Sequence, residues 1–317
     1  MGISAPAPVP ASTRTPKVDR AGERRSWKAW LFLTPAFFLL AVFLVYPTLY
    51  TIALSFNRGR RGEFTEWVGF RNYEQLLTRD PNFLRLDFPP SGALWNNILW
   101  LVFYTAAVLF LGLVIAVVAS RVRYESYIKG IVFLPQAIAA TALAVIWRFV
   151  YAPNPEIGLL NASIGVAGVG PFSWLGDPRF VNAALIVVGV WGSVGFATVI
   201  LSAAIKSIPS EILEAARTDG ATEFAIFRRI IVPMVSLPMS VLAVTLIVNV
   251  VKLFDLIFVM TGGGPGASSR VIAFTMYQES FPGGLYGKGA AVAVIMLVLL
   301  IPVMIFNLRR FRTEAVT

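Results

Sequence analysis

Neither cysteine nor histidine occurs anywhere in the 317 residues. Structural disulfides, thiol chemistry and the common zinc ligands are therefore excluded, and nothing in the chain calls for an oxidising compartment. Charge is scarce as well: Asp, Glu, Lys and Arg fill 14% of positions against 57% hydrophobic residues. An average soluble domain carries nearly twice that charged share. No phosphate-cradling G-x-x-x-x-G-K-[S/T] loop is present. Gly287-Lys288-Gly289 lacks the upstream glycine and the hydroxyl, and Thr261–Gly266 has no lysine in register. With no histidine and no carboxylate pair inside the apolar runs, acid–base catalysis has little to use, so the chain reads as a non-enzyme. Any energy must come from another chain. Mean hydropathy is +0.72, which describes an integral membrane protein. The net charge of +10 sits at the N-terminal tail and at the ends of apolar runs. There it suits a lipid membrane and its orientation, not nucleic acid.

Residues 1–26, rich in Ala, Pro, Ser, Thr and Arg, read as a disordered tail. The apolar run after it is too long for a signal-peptide core. Six charge-poor runs follow, at about 29–55, 94–120, 130–150, 180–205, 233–260 and 288–308, each long enough to cross a ~30 Å hydrocarbon core. Trp95 and Trp100 stand near the start of the second, where interfacial anchors belong. Basic residues cluster in the tail, at Arg121, Arg123 and Lys129, at Lys206, Arg217, Arg228 and Arg229, and at the C-terminal arginines. That pattern places both termini in the cytoplasm, although loop 56–93 carries six arginines on the other side. Within this loop Gly69–Leu77 predicts a short amphipathic helix with Phe70, Tyr73, Leu76 and Leu77 on one side. The turn-rich segment 153–179 closes the next external loop, and residues 313–317 form a short C-terminal tail.

Between the fourth and fifth runs lies the longest stretch in which charges and helix formers mix, 206–232. Ser210 is placed to N-cap a helix with Glu211 and Glu214 in its first turns. Asp219-Gly220 ends it, because glycine enters the left-handed conformation at little steric cost. Thr222 caps a second helix carrying Phe224, Phe227, Ile230 and Ile231 on one face. Two short helices joined at one glycine make a protruding elbow. Inside the runs, the uncharged polar and aromatic groups are Gln136, Trp191, Ser193, Phe196, Thr198 and Asn249. Gln136 follows Pro135, and Gly189, Gly192 and Gly195 are expected to loosen the fourth run. Loosened helices at mid-membrane are where transporters hold ligands, while small and polar residues also glue helices together. Lys252 and Asp255 are the ionisable residues at depth, spaced to pair along one helix face or to snorkel at the interface.

The elbow residues Glu214-Ala215-Ala216, Asp219-Gly220-Ala221, Phe227, Ile230, Val232-Pro233 and Pro238 resemble the EAA loop of permease subunits of binding-protein-dependent carbohydrate ABC importers. Gly69–Leu77 and Phe254–Pro265 are similar to two further runs of that family, of maltose and α-glucoside type. The resemblance implies an all-α membrane protein, six transmembrane helices of the type I ABC importer permease fold over 27–312, in a bacterial or archaeal cell membrane. It implies as partners a second permease, two cytoplasmic ATPase subunits, an extracytoplasmic substrate-binding protein and a sugar. It implies no cofactor in this chain, ATP and Mg being bound by the ATPase subunits. Glu214, Ala215, Ala216, Asp219, Gly220 and Phe227 would then couple to the ATPase. The substrate path would run past Gln136, Ala140, Gly189, Gly192, Ser193, Phe196, Asn249, Lys252 and Leu253. Glycine at 189 and Lys252-Leu253 depart from the amides the family pattern leads one to expect. Two other classes fit less well: an ion-coupled secondary transporter or channel, with only Lys252 and Asp255 for an ion relay, and a membrane-embedded enzyme.

Overall fold

A computed structural model describes residues 27–59, 63–86 and 91–314, so the tail expected over 1–26 lies outside the described residues. Among the described residues the regular elements are all helices, with turns and irregular loops between them and isolated bridges such as Asn57 with Trp67 and Arg85 with Ser91. Residues up to Leu49 form one compact unit and those from Tyr50 onward a second. In the first, the helix Trp27–Leu40 passes into a wider-turned segment, Ala41–Val45. Its side chains Phe32, Phe38 and Phe43 are exposed, which suits a segment whose solvent is lipid.

The second unit is built around two long helices, Ala93–Ala119 (span two) and Val181–Lys206 (span four). At 1.5 Å per residue either exceeds the hydrocarbon thickness. They touch at small residues: a Cβ on Gly112 would fall 2.6 Å from Ala197 Cβ. Val108, Leu113 and Ala116 bury against Leu185, Val188, Ala197 and Leu201. Close backbone approach is the usual basis of helix association in lipid, where no hydrophobic drive exists between helices. Span six, Tyr286–Glu314, continues past the expected end at 308 without a break.

Two spans are not single helices. Span three is Glu125–Ala137 followed by Ala140–Val150 at 99°. Pro135 supplies the reason, since it removes a donor and disfavours helix before it. Span five turns by 67° between Glu223–Met234 and Ser236–Val251, and stops again at Lys252–Phe254 before the helix Asp255–Met260. The carbonyl of Val250, near the end of that helix, is met by the amide of Asn97 from span two at 3.0 Å.

The amphipathic helix expected at 69–77 exists, but with another inner face. It runs Arg71–Glu74 and on through Gln75–Arg79. Leu76 and Asn72 are buried while Phe70 and Leu77 are exposed. Asn72 decides the rotation, because its amide donates to the carbonyls of Ser55 and Asn57, both at 2.8 Å. Lys288 of span six holds this segment from the other side, at 2.7 Å from Asp80 and 3.1 Å from Glu279. The segment 153–179 is organised by buried Asn161, which donates to the carbonyls of Ala152 and Phe172 and accepts from the Phe172 amide and the Trp174 indole. The glycine run after span five is likewise a closed turn, with the Ser269 hydroxyl donating to Gly264 O at 2.6 Å.

Candidate functional site

A cavity of about 290 Å³ opens where the break of span three faces spans two, four and five. Span three contributes Pro135, Gln136, Ile138, Ala140 and Leu143 to its wall, and span four contributes Val188, Gly189, Gly192 and Ser193. From span five come Asn249, Val250, Leu253 and Leu256, and from span two Trp100 and Tyr104. No charged side chain lines it. Its volume lies near the lower end for small-molecule sites, and an apolar wall with a few convergent polar groups is typical of them. The polar groups are the Gln136 and Asn249 amides and the Tyr104 hydroxyl, which donates to Ser193 Oγ at 2.8 Å. The Trp100 and Tyr104 rings sit 5.6 Å apart, and the buried Trp100 indole N–H has no acceptor among the described residues.

Span four is unbroken here, so its glycines do not loosen it. They admit neighbours instead. A Cβ on Gly189 would meet Trp100 Cζ3 at 2.7 Å, and one on Gly195 would meet the carbonyl oxygen of Val132 at 2.2 Å. Gly189 is thus the reason Trp100 packs into the cavity wall, 1% exposed, and not at an interface as its position near the span's start suggests. Of the residues expected along a substrate path, Gln136, Ala140, Gly189, Gly192, Ser193, Asn249 and Leu253 meet in the cavity. Phe196 does not line it and packs into the core, and Thr198 is buried with its hydroxyl on Val194 O. Lys252 also stays outside, exposed at the end of a helix, with Asp255 beginning the next. The helix break carries these two off a common face, and no ion pair joins them. Tyr104, Ile138 and Leu143 gave no sign of a role in the sequence, because their convergence depends on how span three bends.

The elbow forms the second candidate surface. Its first helix is Ser210–Thr218. Pro209, not Ser210, stands at the N-cap position, and no side chain caps that end. Asp219 closes the helix and Gly220 takes φ +81°, with the Ala221 amide reaching back to Ala216 O at 3.0 Å. Thr222 caps the second helix through its hydroxyl, which accepts from the Ala225 amide at 3.2 Å. Ile226 and Ile231 are buried, with Phe227, Ile230 and Ala216 packed against the same cluster. Phe224, expected on that inner face, is 70% exposed, because the wider turn from Phe227 to Ile231 rotates the face toward Ile226. Glu214, Ala215, Asp219 and Gly220 are exposed. The elbow therefore offers an outer surface of Glu214, Ala215 and Phe224, and an inner one fixed to the bundle.

Comparison with known proteins agrees with this architecture. The chain is 44% identical over 288 residues to the osmoprotective compounds uptake permease protein GgtC of Synechocystis, covering 90% of this chain and 99% of that one. It is 38% identical over 295 residues to the alpha-glucoside transport system permease protein AglF of Rhizobium meliloti, covering 92% and 84%. Among solved structures, a chain of a bacterial ABC transporter involved in import of the acidic polysaccharide alginate superposes with a TM-score of 0.72 at 23% identity, over 91% of this chain and 96% of that one. The fold is that of type I ABC importer permeases. Residues 92–309 match the binding-protein-dependent transport system inner membrane component family, and the chain belongs to it.

Proposed function

We propose that this chain is one of two permease subunits of an ATP-driven importer for a neutral disaccharide or other α-glucoside. The observation that carries the reading is the cavity wall: two amides, a paired tyrosine and serine, a buried indole, and no charge. Neutral sugars are held by hydroxyl and amide hydrogen bonds and by aromatic faces, whereas an anionic sugar asks for a basic residue. The relative named for α-glucoside transport supports the same class.

In this reading the elbow faces the cytoplasm together with both termini. Two ATPase subunits, which bind ATP and Mg, seat there, and Glu214 reaches into the ATPase groove. A second permease supplies the other half of the path, and an extracytoplasmic binding protein delivers the sugar. ATP-driven closure of the ATPases moves the elbow, and the broken spans three and five re-aim the cavity from one side of the membrane to the other. Broken helices at a central site are where transporters typically place substrate.

The test is uptake by the complete complex in proteoliposomes, with ATP supplied to the ATPases and a neutral α-glucoside offered against a uronate of equal size. Uptake that needs both ATP and the neutral sugar is the expected result. Transport by this chain alone, or preference for the uronate, overturns the reading.

A further inference from the structure

Residues 120–129, the loop after span two and the first turn of span three, carry Arg121, Arg123 and Lys129 against one acid, Glu125, whereas the elbow balances Lys206, Arg217, Arg228 and Arg229 with Glu211, Glu214, Asp219 and Glu223. Folding brings Arg121 to the same acid as Arg217, and Lys129 to the same acid as Lys206. Cations gathered this closely repel each other unless anions lie between them. Two carboxylates do. Glu223 places Oε2 2.6 Å from Arg121 Nη2 and accepts from Arg217 Nε at 2.9 Å through Oε1. Glu125 pairs with Lys129 and, through Oε2, with Lys206 at 2.9 Å, while Ser202 Oγ donates to its Oε1 at 3.2 Å.

Each acid thus binds one base from the loop and one from an end of the elbow. Glu125 is also the first residue of the lower half of span three, which runs straight to Pro135 and Gln136. The Gly195–Val132 approach seats that half on span four, and the 99° break separates it from Ala140–Val150.

We propose that Glu125 and Glu223 are positioning residues that latch the loop and the lower half of span three to the elbow, so that elbow movement is delivered to the cavity wall at Pro135–Gln136. Without them Arg121 faces Arg217 and Lys129 faces Lys206 with no anion between, and the lower half of span three lags behind the elbow. The inference rests on 206–232 being the coupling element. Glu223 is the more exposed acid, its side chain 46% accessible against 19% for Glu125, so its pairs are the ones most screened by salt.

The test uses the complete complex in proteoliposomes with Glu223→Gln, Glu125→Gln and the double variant, reading sugar uptake per ATP hydrolysed. Assembly and hydrolysis are expected to persist in Glu223→Gln. The ratio should fall, by about fivefold at most for each of the two exposed pairs that Glu223 makes, and further in the double variant. Made in an Arg217→Gln background, so that the new arginine meets no like charge, the exchanged pair Arg121→Glu with Glu223→Arg should recover much of the loss that Glu223→Gln causes in that background. A ratio unchanged in Glu223→Gln, or one that the exchange leaves as low as Glu223→Gln does in that background, overturns the proposal. Should Glu125→Gln fail to fold, Glu223→Gln and the exchanged pair still decide the matter. Failure of the importer reading itself appears separately, as absent ATP-driven uptake in the unaltered complex.

Discussion

Replacing Gly195 with alanine adds one methyl group to span four, and so does replacing Gly192 three residues earlier. In an isolated helix both changes would gain about 1 kcal/mol of propensity, so that contribution cancels between them. Their surroundings differ. At 192 the new Cβ would meet only Leu143 Cδ1 at 3.1 Å, the far end of a side chain that can turn aside. At 195 it would lie 2.2 Å from Val132 O, 2.6 Å from Phe133 Cα and 2.7 Å from Val132 C, all backbone of span three. Nothing there gives way unless the lower half of span three lifts off span four by roughly an ångström. Overpacking of this kind costs about 1–3 kcal/mol, occasionally more. Gly192→Ala is therefore expected to be neutral or mildly stabilising, and Gly195→Ala to fall about 1–3 kcal/mol below it. At roughly 2–4 °C per kcal/mol the two variants should separate by several degrees. Thermal unfolding of the detergent-purified variants, followed by loss of the monodisperse chromatographic peak, reads this directly. If Gly195→Ala melts at or above Gly192→Ala, the close approach of spans three and four is not where it has been placed.

Four further outcomes follow from the same geometry. Gly220→Val meets no neighbour within 4 Å, so its cost is the φ of +81° alone, about 1–2 kcal/mol or more for a β-branched residue; the complex should assemble and hydrolyse ATP but lose uptake, and unaltered uptake in proteoliposomes refutes this. Asn161→Ala strands buried groups of Ala152, Phe172 and Trp174 and should cost at least ~2 kcal/mol, read as a lowered melting temperature, with Asn161→Asp in between. Lys288→Met leaves the Asp80 and Glu279 carboxylates facing each other and should destabilise by about 3–5 kcal/mol, while adding Asp80→Asn and Glu279→Gln should restore much of the loss. The hydrogen bond from Arg217, aided by the Arg121 charge and opposed by desolvation, holds the Glu223 carboxyl below its usual 4.5. Its pairing therefore contributes fully above that value and is lost as pH falls through the lower folded pKa, so in a carboxylate NMR titration Arg217→Gln should move the midpoint up.

Composition and periodicity alone determined much of this protein. Long charge-poor runs can only be membrane helices, and a glycine after a charged helical turn ends that helix whatever surrounds it, as Gly220 does. Gln136 beside Pro135, and the amide of Asn249, stood out because polar groups inside apolar runs are costly unless they are used. Tertiary structure decided the rest. Trp100 is a cavity wall and not an interfacial anchor because Gly189 lies opposite it, a pairing across 89 residues of chain that no local pattern encodes. Phe224 turns outward and Ile226 inward because a wider helical turn shifts the phase of the elbow. Lys252 and Asp255 part company because span five stops between them, and the Asn97 amide meets a carbonyl near that stop. Nothing in the sequence sets Glu125 and Glu223 apart, and only folding brings two cations to each. Helix type is a local property of the chain, whereas contact between helices depends on the shapes and charges that distant segments present to one another.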